Sequence, residues 1–265
     1  MRDRRRHDRQ PDNHDAHCAT RYTSRNVSDI DLLQCEFESR ILGNRRTVWV
    51  QRRDSLATGV CIFLDGEYYL AHVRAAGIVS RLQEEGAMPP MAVAYVSCVD
   101  HDVRWPESFC NPAFASFLGD ELLPWLTSRF AAIGPGENAL VGLSLTGLSA
   151  AHAALQFPDA FPRVLCQSGS FWWNESSFAG DVRDGPLSNV AFRITVGSKE
   201  TEEDVDHGKG LFQRESQVTS NRRTCDALVA KGHPVSYREF DGGHDVASWR
   251  NDLPESLTAL FAPRH

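Results

Sequence analysis

The stretch ALVGLSLTGLSAAHAAL, residues 139–155, decides how the chain is read. Ala139-Leu140-Val141 is a short apolar run of the kind that fills a buried strand, and residues 145–155 are rich in the small side chains of a closely packed helix. Between them lies Gly142-Leu143-Ser144-Leu145-Thr146-Gly147. A strand that turns at once into a helix has no room for bulky groups at the turn, so small residues flank the serine. Such a turn exposes the hydroxyl and leaves helix N-terminal N–H groups beside it. Ser144 is therefore a candidate nucleophile, with the Leu145 N–H as a donor to a developing oxyanion. A second triplet, Gly147-Leu148-Ser149, has the same form, but Ser149 falls where the helix is already running and reads as a helix-face group. Thr146 stands where the G-x-S-x-G pattern has its last glycine, which a β-branched residue can replace only with ordinary backbone angles.

Working outward, strand-like runs fall at residues 47–50, 59–64, 91–98, 164–166, 192–196 and 235–240. Helical spacing links Leu70, Val73, Ile78, Val79 and Leu82, and recurs over residues 114–130 with a kink or restart expected at Pro124. Leu211, Phe212, Val218, Cys225 and Leu228 are expected on one face of a long helix, and residues 249–260 form a closing one. This alternation implies the α/β class: a mostly parallel sheet with helices on both faces.

The 265 residues suffice for one substantial core. Residues 1–25 read as a disordered tail and 26–265 as a single domain. The opening MRDRRRHDRQ is basic, but Asp3, Asp8, Asp12 and Asp15 interleave with the arginines, and no apolar segment follows as a secretory signal requires. Twenty-eight basic against thirty-five acidic residues give a formal charge of −7, which argues against a nucleic-acid partner. No apolar run reaches the ~18 residues of a membrane span, so no membrane partner is expected. The seven cysteines are odd in number and scattered, with no C-x-x-C, which fits free thiols in the cytoplasm better than a disulfide framework or a zinc site. Neither H-x-H nor H-E-x-x-H occurs, and no metal or other cofactor is expected.

Asp241-Gly242-Gly243-His244-Asp245 lies between the last strand and the last helix, where the histidine of a Ser…acid…His order belongs. The two glycines let the backbone bring His244 over the sheet edge, and Asp245 can cap the following helix. The acid should follow the strand at 192–196. Glu200 is the first choice, with Asp204 and Asp206 on the same loop as alternatives. A second oxyanion donor is expected around Gly66 and Glu67, after an early strand.

These segments resemble the enterochelin (enterobactin) esterase-like branch of the esterase D-type α/β-hydrolases. The match rests on Phe63-Leu64-Asp65-Gly66, Arg104 with Phe109 to Pro112, Glu121-Leu122-Leu123-Pro124, the serine turn, Cys166-Gln167-Ser168-Gly169-Ser170-Phe171-Trp172-Trp173, and Gly242-Gly243-His244-Asp245 with Trp249-Arg250. It covers roughly residues 45 to 262. The resemblance implies an α/β-hydrolase fold and a serine esterase that opens ester or lactone bonds of aryl, catecholate siderophore-like small molecules. It implies catalytic roles for Ser144 and His244, an anion-holding role for Arg104, and places for Trp172 and Trp173 near the pocket. A surface ion pair is the plainer reading of Arg104, and core packing that of the tryptophans. Thr146 departs from the family pattern, and residues 1–45 are too few to match the N-terminal domain of the full-length siderophore esterases. Other readings are a general carboxylesterase or acyltransferase, or a silent hydrolase fold that only binds.

Overall fold

Val60–Leu64 is buried throughout and marks the middle of the sheet. Val60, Ile62 and Leu64 face one apolar layer and Cys61 and Phe63 the other, the period-two pattern of a strand covered on both sides. The computed structural model describes residues 21–22, 30–51, 57–130, 137–208 and 210–263. Its strands in chain order are β1 (Arg21–Tyr22), β2 (Leu32–Ser39), β3 (Asn44–Gln51), β4 (Val60–Leu64), β5 (Ala92–Val96), β6 (Ala139–Leu143), β7 (Arg163–Gln167), β8 (Ala191–Gly197), β9 (Val205–Asp206), β10 (Phe212–Gln213) and β11 (Val235–Phe240). Nine of them form one sheet in the order β1-β2-β3-β5-β4-β6-β7-β8-β11, while β9 and β10 make a separate two-stranded ribbon. Pairing is antiparallel from β1 to β5 and parallel from β5 to β11.

The helices are α1 (Gly66–Tyr68), α2 (Ala75–Glu84), α3 (His101–Ser108), α4 (Pro112–Ser116), α5 (Leu123–Phe130), α6 (Leu145–Gln156), α7 (Trp173–Asp184), α8 (Gln217–Lys231) and α9 (Val246–Phe261). Residues of α4 to α8 pack on one face of the sheet and those of α2 and α9 on the other. The chain moves from β4 to β5 on one side and then crosses to β6 on the other. Strand order therefore reverses at β4, and ligand crevices form beyond the carboxyl ends of strands at such a point.

The strand readings hold, and the structure adds elements that periodicity did not give: β1, β2, α1, α3, α7 and the β9–β10 ribbon. Two helical readings are corrected. The spacing from Leu70 to Leu82 is not one helix: Tyr69–Val73 forms a wide turn that closes from Arg74 N–H to Tyr69 O, and Arg74 then takes φ 65° before α2 begins. Leu211 and Phe212 do not join the long helix. Ser216 starts α8 by accepting the Thr219 N–H, so the residues before it are free to form the ribbon. Over residues 114–130 the backbone stays helical rather than restarting at Pro124: the wide turn Phe117–Leu122 runs directly into α5 at Leu123, with Pro124 its second residue. Most of the expected tail lies outside the described residues, but Arg21–Tyr22 pair with Leu32 and Leu33 as β1.

Gly66 shows how closely the chain leaving β4 packs on β5. A Cβ on it would sit 2.5 Å from the Tyr95 carbonyl carbon and the Val96 nitrogen, whereas one on Gly43, at φ 64°, would meet nothing. Gly66→Ala is expected to lower unfolding free energy by about 2–3 kcal/mol through overpacking. Gly43→Ala should cost only about 1 kcal/mol for its left-handed backbone. Urea titration of both variants checks the order.

Candidate active site

Ser144 joins β6 to α6 at φ 52° and ψ −122°, a conformation that non-glycine residues adopt only when their surroundings impose it. Here the neighbouring strand imposes it. Ser144 N–H donates to Gln167 O at 2.8 Å, and Ser170 N–H donates to Ser144 O at 2.9 Å. The glycines stand where the backbones meet: a Cβ on Gly142 would lie 2.1 Å from Thr146 O, and one on Gly147 would lie 3.1 Å from Gly169 Cα. Position 146 has no such demand. Thr146 is buried in the first turn of α6, and its hydroxyl accepts the Leu143 N–H at 3.2 Å. Its proton can go to Leu143 O at 2.9 Å or to Asp65 Oδ2 at 3.2 Å. Ser149 lies buried within α6.

Three residues from distant parts of the sequence meet at this turn. His244 Nε2 is 2.9 Å from Ser144 Oγ, and His244 Nδ1 is 2.6 Å from Glu200 Oε2. An ionised carboxylate only accepts, so Nδ1 carries the proton and Nε2 presents its lone pair to the serine. The other Glu200 oxygen accepts the Gly197 N–H at 2.7 Å and the Ser168 hydroxyl at 2.5 Å. Trp249 Nε1–H donates to Ser168 Oγ at 3.0 Å, and the Trp249 ring stands edge to face against His244 with centroids 4.8 Å apart. Asp206 instead accepts the Gly208 N–H on the ribbon, and Asp204 is exposed. Asp245 caps α9 by accepting the Ser248 N–H.

A cavity of 430 Å³ opens over this group. Leu145 lines it, and as the first residue of α6 its N–H has no acceptor within the helix. Gly66 and Glu67 do not line it. Glu67 turns toward Cys98, accepting its N–H at 3.1 Å and its thiol at 2.9 Å. Burial raises the Glu67 pKa, and burial with the Glu67 contact pushes the Cys98 thiol up to about 12.

Arg104 lines the cavity and is also a paired ion. Its Nε and Nη2 donate to Asp65 Oδ1 and Oδ2 at 2.9 and 2.6 Å. Trp172 reaches the cavity wall, yet it is 5% exposed and carries the His207 ring stacked on it at 4.8 Å and 11°. Trp173 lies off the cavity, stacked on Phe109 at 4.9 Å and packed against the core. Among the cavity residues that the sequence did not single out are Trp105, Ser170, Lys199, His207, Gln213 and Gln217. Asp65 and Ser168 were legible only as members of motifs, and His207 gave no signal because its ribbon strands are two residues each.

Among the described residues no group of His, Cys, Asp and Glu is arranged to hold a metal ion, and no helix is long and apolar enough to cross a membrane. The described cysteines form no disulfide, and Cys18 lies outside the described residues.

A family model described as "Putative esterase" matches residues 39–260. The chain is 31% identical over 235 residues to the iron(III) enterobactin esterase of Dickeya dadantii, covering 85% of this chain and 54% of that protein. To the protein of the same name from Escherichia coli K12 it is 29% identical over 241 residues, covering 86% and 56%. The chain thus spans about half the length of these curated relatives. The enterobactin esterase of Shigella flexneri, crystallised in the presence of enterobactin, superposes with a TM-score of 0.77 at 25% identity, covering 90% of this chain and 60% of that one. With the reversal of strand order at β4 and the serine turn after β6, these matches make the fold that of an α/β-hydrolase, and the chain belongs to this esterase family.

Proposed function

We propose that the chain is a serine hydrolase cleaving ester or lactone bonds, with Ser144 as nucleophile, His244 as general base and Glu200 as the acid that orients it. The observation that carries this reading is the unbroken run from Ser144 Oγ through the imidazole to Glu200, at 2.9 and 2.6 Å, on the floor of a cavity. His244 Nε2 takes the hydroxyl proton as Oγ attacks the acyl carbon. Negative charge then builds on the acyl oxygen beside the Leu145 N–H, and Glu200 stabilises the imidazolium. Collapse breaks the ester bond, and the leaving alkoxide takes the proton back from Nε2. Water repeats the sequence on the acyl-enzyme and returns free serine. A second oxyanion donor is proposed for the loop after β4, around Gly66 and Glu67; neither residue lines the cavity, where the Leu145 N–H is the donor in place, and the Glu67 side chain is engaged with Cys98.

The substrate is assigned as a small aryl ester or lactone bearing an anionic group, of the siderophore type named for the relatives. Asp65 occupies two of the Arg104 nitrogens and leaves Nη1 for an anion, with the Lys199 side chain also on the cavity wall. Because His207 covers one Trp172 face, an aryl group would meet His207 and Trp105, with Trp172 supporting from behind. Unbridged cysteines suit the reducing cytoplasm, where we place the protein.

Ser144→Ala should lower kcat/KM by about 10³-fold or more, while Ser149→Ala stays within a few-fold, because only the first serine belongs to the acting unit. Fluorophosphonate labelling followed by mass spectrometry should mark Ser144, and a label on another serine would displace this assignment. Glu200→Gln should cut kcat by about 10²-fold or more, against less than about threefold for Asp204→Asn or Asp206→Asn. Steady-state kinetics on a chromogenic ester reads both sets.

Arg104→Ala should raise KM for an anionic aryl ester about tenfold while leaving that for a neutral short-chain ester within about twofold, because the guanidinium can pair with the anion alone. Equal losses on the two esters would confine Arg104 to holding Asp65. Mass spectrometry of products from catecholate trilactones, thioesters and simple aryl esters tests the substrate class.

A further inference from the structure

We infer that Ser168 is a positioning residue for Glu200, holding the plane of its carboxylate toward His244 through a hydroxyl that Trp249 orients. This inference rests on the proposed roles of Ser144, His244 and Glu200. Ser168 is fully buried, at the carboxyl end of β7. Its two partners fix the direction of its hydroxyl. The indole N–H of Trp249 can only donate and the Glu200 carboxylate can only accept, so Oγ receives from Trp249 at 3.0 Å and gives its proton to Glu200 Oε1 at 2.5 Å.

The carboxylate needs this second hold. Its Oε2 serves His244, and Oε1 has two donors, the Gly197 N–H and the Ser168 hydroxyl. With Gly197 alone the group can pivot about one bond. With both, its plane is set, and with it the reach to Nδ1. The side chain is buried, so water offers no ready substitute for the missing donor.

Ser168 also occupies a left-handed conformation, φ 49°, that a glycine would adopt more easily. Its backbone is held by Ser168 N–H to Thr195 O at 2.6 Å and by Gln217 Nε2 to Ser168 O at 3.1 Å. The strained backbone therefore delivers a hydroxyl to one place, between an indole and a carboxylate. Trp249 contributes twice: its N–H sets the hydroxyl, and its ring bounds His244.

The test is a double-mutant cycle between Ser168→Ala and Glu200→Gln, with kcat and KM measured on an anionic aryl ester and a neutral short-chain ester. Ser168→Ala should lower kcat about 10- to 100-fold on both esters, the scale of a misplaced reacting group, with KM within about threefold. In the Glu200→Gln background the same substitution should cost less than about twofold, because its effect passes through the carboxylate. A full additional loss in that background would make Ser168 merely structural and overturn the inference, as would wild-type kcat in Ser168→Ala. An inactive wild type, or an undamaged Glu200→Gln, would instead bring down the proposed triad. Should Ser168→Ala fail to fold, Trp249→Phe decides the matter, since it keeps a ring beside His244 and removes the N–H. It should lose about 3- to 10-fold in kcat, again vanishing with Glu200→Gln, and any other result overturns the inference.

Discussion

Ser144 can keep its unfavourable φ of 52° only because β7 runs parallel beside β6 and offers a carbonyl at the right height. Gln167 O receives the Ser144 N–H, and the chain then bends so that Ser170 N–H returns to Ser144 O. Two backbone hydrogen bonds from one neighbouring segment thus clamp the strained residue on both sides. The glycines at 142 and 147 follow from the same clamp, since each lies where the turn, α6 and the β7 loop approach closely, whereas a Cβ on Gly169 would meet the Phe171 ring. Strain at one residue is tolerable when the surrounding packing fixes it, and here the packing is the centre of a parallel sheet buried on both faces.

Beneath the clamp lies a polar layer that fixes β7, β8 and α9 to one another. Gln167 accepts the Tyr69 hydroxyl at 2.9 Å, and its amide donates to Trp249 O and to Asp252 Oδ2. Asp252 also accepts from Thr195 and Ser256, and Arg238 lies 3.4 Å away. A buried carboxylate is costly unless its lone pairs are filled, and this one has hydroxyl, amide and guanidinium donors. The layer sets where Trp249 stands, and Trp249 in turn bounds His244. Histidine and serine come from loops a hundred residues apart, so their 2.9 Å meeting depends on such cross-links rather than on local sequence.

What was legible in the sequence follows the same division. The strands β3 to β8 and β11 are short apolar runs with clear ends, and the serine turn and the glycine-flanked histidine sit in local patterns, so all were readable. The acid was narrowed to a loop, because sequence order limits it to the segment after β8 but cannot say which carboxylate turns inward. Glu200 is the one that turns, because Gly197 N–H and the Ser168 hydroxyl draw it into the interior, while Asp204 stays exposed. Trp172 and Trp173 are adjacent and look alike in sequence, yet one borders the cavity and the other is stacked on Phe109. The left-handed backbone from Asn174 to Ser176 immediately follows them, and no periodicity rule foresees it. The ribbon carrying His207 is held by two residue pairs, too few to leave a pattern.

The departure at Thr146 joins the serine turn to Arg104 on the cavity wall. Where a glycine would offer no group, the threonine hydroxyl lies between Leu143 and Asp65. Asp65 is buried and left-handed at the end of β4, and its carboxylate grips Arg104 through both oxygens. The three groups are unequal partners. Without the Thr146 hydroxyl, Asp65 would keep its bidentate guanidinium and lose one hydrogen bond from a neutral donor to a charged acceptor, worth about 1.5–3 kcal/mol. Without Arg104, a buried carboxylate would be left with a hydroxyl alone, the situation that costs about 3–5 kcal/mol in paired systems. Arg104 is therefore fixed first by the fold's need to neutralise Asp65, and only its remaining edge is free for a ligand. A cation tethered in this way cannot swing freely, so under the proposed function the spacing between Arg104 and Ser144 would limit how far the scissile bond could lie from an anionic group held by Arg104.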